Sequence, residues 1–168
     1  LASRPEKIVV SWVGGEALYD FGVFSELAKK VYHAITDCGC GVEGILITNA
    51  TLLTKPIINK LVSPPFNIKH VQVTLDGTKE MHDSMRVRHN GGGTFNHICD
   101  NIIKLKEVIP ALSIRVNVGA EFTLKSFSVF MEEMTAKGVV APGESMLKFY
   151  LAKLNPDDSF YSCQKTLT

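Results

Sequence analysis

The chain has 168 residues, 45% of them hydrophobic and 21% charged, with 18 basic against 17 acidic side chains and a formal charge of +1. That suits one globular domain with a sizeable core. It excludes the basic field of a nucleic-acid or anionic-lipid binder, and no apolar run reaches the length of a membrane span. Four cysteines, at 38, 40, 99 and 163, are too few and too irregular for a disulfide framework. Leu1 to Lys7 lack a signal-peptide hydrophobic core. The expectation is a cytoplasmic protein with no nucleic-acid and no membrane partner. Because Leu1 is not methionine, the chain is expected to be cut from something longer.

Residues 8–13 form a continuous apolar strand stopped by Gly14-Gly15-Glu16. Asp20 is placed to cap a helix over 21–36, with Phe21, Phe24, Leu27, Ala28, Val31 and Ile35 at helical spacing and Gly39 and Gly41 ending it. A second strand, 44–48, stops at Asn49; a short helix over 54–62 carries Pro56 in its first turn. The third strand, 68–75, ends in Asp76-Gly77, and a polar loop from Thr78 to Gly93 follows, with His82, Asp83, Arg86, Arg88 and His89. Thr94 reads as the N-cap of a helix to 107. A strand at 112–118, a helix at 125–137 ended by Gly138, and a strand at 146–151 complete the pattern, and the tail from Asn155 reads as loop.

Strands alternating with helices are βαβ grammar. Strands read as apolar on both faces imply a parallel sheet covered by helices, and right-handed crossovers curl it towards a barrel or an arc of one. The fold class expected is therefore α/β, a single domain over 1–168. In such folds the C-terminal ends of the strands build the ligand site. The residues found there are Gly14, Gly15 and Glu16; Thr48 and Asn49; Thr74, Asp76 and Gly77; and Asn117. Turn formation alone accounts for Asn49 and Asp76-Gly77. It accounts less well for Gly14-Gly15, which permits close approach by a ligand, beside Glu16, whose carboxylate can receive an ammonium group.

The ordered set Val13-Gly14-Gly15-Glu16-Ala17-Leu18, Thr48-Asn49-Ala50 and Thr74-Leu75-Asp76-Gly77, with His82-Asp83, Arg86 and Gly91-Gly92-Gly93-Thr94-Phe95, resembles the radical S-adenosylmethionine (SAM) enzymes. It is most similar to the peptide- and protein-maturing subfamily that includes anaerobic sulfatase-maturating enzymes, whose pattern is GGEP-L, TNG and SLDG. The resemblance runs from about Ile8 to Gly138. It implies about five βα units of a six-stranded partial (β/α) barrel. It also implies two cofactors, SAM and a [4Fe-4S] cluster, and a peptide or protein substrate. In the family the reduced cluster cleaves SAM to a 5′-deoxyadenosyl radical that abstracts a substrate hydrogen. By the same resemblance Gly14, Gly15 and Glu16 lie against the SAM amino group, and Thr74 lies near its ribose or carboxylate. Thr48, Asn49, Asp76 and Asn117 line the same rim, and Arg86 binds the SAM carboxylate or orders the loop.

The sequence departs from the family in one decisive respect. The C-x-x-x-C-x-x-C loop that holds the cluster precedes GGE in the family, and residues 1–13 contain no cysteine. Cys38-Gly39-Cys40 has the wrong spacing for three thiolate ligands. The chain is thus expected to lack the first βα unit and the C-terminal domain, and to be inactive alone, with its exposed strand edge prone to association. Two other readings stay open: a radical SAM enzyme acting on a small molecule, and a cluster-less binding or scaffold relative. His82-Asp83 is expected to fix the loop and Trp12 to be core. Glu132-Glu133 reads as a solvated face, and Cys99 as an inert buried thiol.

Overall fold

Hydrophobic alternation and helix capping set the elements. In the computed structural model, residues 5–88, 91–119, 121–143 and 147–153 are described. They form β1 (Lys7–Trp12), α1 (Phe21–Asp37), β2 (Gly41–Thr48), α2 (Lys55–Leu61), β3 (Ile68–Leu75), α3 (Lys79–Met85), α4 (Phe95–Lys106), β4 (Ala111–Val118), α5 (Leu124–Ala136) and β5 (Leu147–Lys153). The strands lie in chain order, β1-β2-β3-β4-β5, every neighbouring pair parallel. A sheet that always steps the same way through right-handed crossovers keeps its helices on one face. The result is the expected arc of a (β/α) barrel, not closed among the described residues.

Register separates the two faces. Leu46, Val71, Leu112 and Leu147 form one row across β2–β5, and Val73, Ile114 and Phe149 another. These side chains pack with Phe24, Ala28, Ile58, Leu61, Ile98, Ile102, Phe130 and Met134 in one core. Each large apolar side chain buried there contributes about 1.5–3 kcal/mol. The intervening rows, Gln72 with Ser113 and Lys148, and Thr74 with Arg115 and Tyr150, lie on the face without helices. This corrects the expectation of strands apolar on both faces. On β3, β4 and β5 the helix-free side is polar.

Caps fall mostly where the sequence placed them. Asp20 Oδ1 accepts from the Val23 N–H at 2.9 Å, Thr54 caps α2 with Pro56 in its first turn, and Gly138 ends α5 at φ 73°. Gly41 does not end α1; it opens β2, which is longer at its start than expected. The fifth strand runs to Lys153, and Met146, His89, Cys163 and the tail from Leu154 lie outside the described residues.

The segment after β3 is not all loop. Gly77, at φ 89°, turns the chain off the strand, and α3 follows at once. Thr78 Oγ1 accepts from the Met81 N–H at 3.3 Å, and Glu133 Oε2, from α5, accepts the Lys79 N–H at 2.8 Å. Glu133 is therefore not simply a solvated residue. It satisfies an orphan donor at the start of α3.

Candidate functional site at the strand tips

At the β1 and β2 tips Glu16 is the hub. Its Oε1 accepts from the Leu18 N–H at 3.1 Å and the Thr48 hydroxyl at 2.7 Å, and its Oε2 accepts from the Asn49 N–H at 2.9 Å. Thr48 Oγ1 also receives the Ala50 N–H at 2.9 Å. Thr48 therefore positions Glu16. A carboxylate accepts about four hydrogen bonds, so these three leave Glu16 one acceptor position. Beside it, Gly14 and Gly15 are exposed, and a Cβ built on either would meet nothing within 4 Å. Packing does not demand glycine at those two positions; the chain leaves open space there.

The loop after β2 is held from α4. Ala50 sits at φ 60°, where glycine is favoured, and its carbonyl accepts from Asn101 Nδ2 at 2.8 Å. His97 Nε2 lies 3.0 Å from the Thr51 carbonyl. Sequence reasoning missed His97 and Asn101. Their i,i+4 spacing on α4 was the available signal.

At the β3 and β4 tips Asp76, 1% exposed, is the second hub. Arg86 Nε donates to its Oδ2, Asn117 Nδ2 to its Oδ1 at 2.7 Å, and Arg115 Nε to Asn117 Oδ1 at 3.1 Å. A buried carboxylate persists only when so partnered. Thr74 is half-buried on the helix-free face, in register with Arg115. The candidate residues Gly14, Gly15, Glu16, Thr48 and Asn49 thus cluster at the first two tips, and Thr74, Asp76, Arg86 and Asn117 at the next two.

Behind Asp76 stands His82, fully buried. The Asp76 N–H donates to His82 Nδ1 at 3.1 Å, so the ring proton is assigned to Nε2. Nε2 lies 2.9 Å from Thr94 Oγ1, whose hydroxyl reaches the Arg86 carbonyl at 3.3 Å. Burial pushes the His82 pKa down to about 4; Arg86 reinforces this, while Asp76 and Asp83 oppose it. His82 is a neutral brace joining β3, the end of α3 and α4.

Asp83 is the second brace. Its Oδ1 accepts from the N–H groups of Thr94 at 2.8 Å and Phe95 at 2.9 Å, and Lys79 Nζ lies 3.0 Å from its Oδ2. Burial works against its charge, but the Phe95 N–H, Lys79 and the Thr94 N–H outweigh that and hold the carboxyl below its usual value. Thr94 precedes α4 as expected, yet its side chain makes no capping bond; Asp83 caps the helix instead. A Cβ on Gly93 would collide with the Asp83 carboxylate, so glycine is required there for close approach.

Trp12 is half-buried edge-on against Phe24, its indole Nε1 enclosed without a hydrogen-bond partner. Burial pushes the Cys99 thiol up to about 12; Cys40 is buried and Cys38 exposed. Among the described residues no group of three His, Cys, Asp or Glu side chains could hold a metal ion. Among the same residues no helix is long and apolar enough to cross a membrane.

Fold and rim together define an α/β protein of the barrel-arc type, with polar side chains and two glycines gathered at the C-terminal strand tips. Among solved structures the chain is similar to the radical SAM enzyme anSMEcpe, an anaerobic sulfatase-maturating enzyme. Native anSMEcpe with bound AdoMet matches at a TM-score of 0.68 and 20% identity, over 90% of this chain and 39% of that one. The same enzyme with bound AdoMet and the Kp18Cys peptide matches equally, at 0.68, 20%, 90% and 39%. With AdoMet and the Cp18Cys peptide the TM-score is 0.66 at 20% identity, over 86% of this chain and 38% of that one. This chain thus has the fold of part of a radical SAM barrel and spans about two fifths of those proteins' length. No protein-family model and no curated protein matches the sequence.

Proposed function

We propose that the chain is the central part of a radical SAM enzyme that modifies a peptide or protein, and that SAM lies across the tips of β1–β4. One observation carries this reading: exposed Gly14 and Gly15 border open space beside a carboxylate with one acceptor position to spare. Glu16 and the glycine backbone would receive the SAM ammonium group. Thr74 and Arg86 would face its ribose or carboxylate. Asp76 and Asn117 would hold Arg86 in place, as Thr48 and Asn49 hold Glu16. When bound, SAM and a reduced [4Fe-4S] cluster supply hydrogen-atom abstraction. The described residues offer no ligand set for the cluster, so on this reading its ligands would lie outside them. The anSMEcpe structures with bound peptide support a peptide as the substrate class.

The test is SAM affinity of the full chain by calorimetry. Glu16→Ala removes a charge-assisted contact of about 1.5–3 kcal/mol, or roughly 10–100-fold in Kd, and also loosens Thr48 and Asn49. Gly15→Val is the cleaner probe, because its side chain enters open space and leaves the fold intact. Weaker SAM binding at an unchanged melting temperature supports the proposal; wild-type affinity in Gly15→Val, or no SAM binding by the parent chain, overturns it.

A further inference from the structure

The helix-free face of β3–β5 carries a pair of cations beside the strand-tip site. Its rows read Gln72, Ser113, Lys148 and, one step nearer the rim, Thr74, Arg115, Tyr150. Arg115 and Lys148 are both exposed. They stand on neighbouring strands two residues out of step, which places their Cα atoms about 8 Å apart. A single carboxylate can bridge two long side chains at that separation. Among the described residues Arg115 spends only its Nε, on Asn117 at 3.1 Å, and its terminal nitrogens present the planar fork that matches a carboxylate. No hydrogen bond or ion pair engages the Lys148 ammonium among the described residues.

The same rows contain no acidic side chain. Among the described residues Asp76, at the β3 tip, is committed to Arg86 and Asn117, and Glu43, on β2, to Lys7 at 2.8 Å. The rows' other titratable neighbour, His70, is tied to Ser113 at 2.8 Å, and burial and then Lys148 lower its pKa, so it adds no charge at neutral pH. Tyr150, 47% exposed beside Arg115, adds a hydroxyl and a ring to the same patch. Charge complementarity therefore selects an anion. Arg115 shares its row with Thr74, and Lys148 lies one row further from the rim.

We propose that Arg115 and Lys148 form a subsite for the carboxylate of an aspartate or glutamate side chain in a peptide substrate. This deepens the reading given above and rests on it. The partner is an acidic peptide running along the helix-free face. A nucleic acid would need a longer basic track than two cations.

The experiment compares three fluorescein-labelled peptides, identical except for a central Glu, Gln or Lys, by anisotropy on the full chain, with SAM affinity measured in parallel. The Glu peptide should bind at least tenfold more tightly than the Gln peptide. The Arg115→Gln/Lys148→Gln double variant should bring the two within about twofold. Lys148→Gln alone, an exposed change outside the strand-tip network, guards against the case in which losing the Asn117 contact disturbs that network, and it should remove a severalfold share of the preference with SAM affinity unchanged. Equal binding of Glu and Gln peptides, no binding of any peptide, or preference retained in both variants overturns the proposal. So does SAM affinity that falls together with the preference in Lys148→Gln, because that cation then serves the cofactor. A chain that selects the Glu peptide yet never binds SAM refutes the SAM reading and leaves the subsite standing.

Discussion

His82 makes the fold acid-labile in a calculable way. In the unfolded chain its ring takes a proton near pH 6.5, and in the folded chain only near 4, because the charged form cannot be solvated behind Asp76. Between those values the unfolded state binds more protons, so stability falls as pH drops through the window. Above it neither state is charged and nothing is lost; below it the full penalty of roughly 3 kcal/mol has accrued. That is a large share of the 5–15 kcal/mol that typically holds a domain together. His82→Gln removes the titration while keeping one donor and one acceptor. It should cost about 1–3 kcal/mol at neutral pH, because the bonds to the Asp76 N–H and to Thr94 cannot both keep their geometry. Urea unfolding followed through Trp12, the chain's one tryptophan, at about pH 7, 5.5 and 4.5 gives both stability curves. Subtracting them cancels the other histidines and carboxylates. The gap should close or reverse by roughly 2–3 kcal/mol at the acid end. A gap constant with pH, or a native His82 resonance titrating near 6.5, would refute the reasoning.

Asp83→Ala should destabilise the chain by about 2–3 kcal/mol, since two N–H groups at the start of α4 lose a charged acceptor. Thr94→Ala should cost about 1 kcal/mol; the reverse order would show that Thr94 is the cap after all. Gly93→Ala should match Asp83→Ala in chemical denaturation, because the added methyl displaces the carboxylate. The Asp83 contribution is present above the unfolded value of 3.8 and is lost as pH falls through the lower folded value. Iodoacetamide should label Cys38 in the native chain and Cys99 only on unfolding, as its buried thiol is raised to about 12; native labelling of Cys99 by mass spectrometry would contradict its burial.

Much of this molecule was legible without coordinates, and the parts that were not share a cause. Strand β3 matches its expected bounds, and Asp20 caps α1 as read, because both signals are local: an apolar run, and an oxygen three residues from a free N–H. Helix α3 was missed because seven residues give too little periodicity to outvote a polar composition, and one of its caps, Glu133, lies 54 residues away. The site divides in the same way. Glycines, Glu16 and Asp76 at the strand tips could be placed from spacing. That Thr48 steers Glu16, that Asp83 and not Thr94 caps α4, and that Asn101 ties the loop after β2 are contacts across 32, 12 and 51 residues. The amino-acid order alone determined the alternation of elements, the parallel sheet and the set of polar groups at its tips, since these follow from hydrophobic period and turn chemistry. Only the tertiary structure decided which of those groups are spent on one another, which space beside Gly14 and Gly15 stays open, and that one face of β3–β5 is polar. Pairing and enclosure depend on distances between strands, which no local pattern encodes.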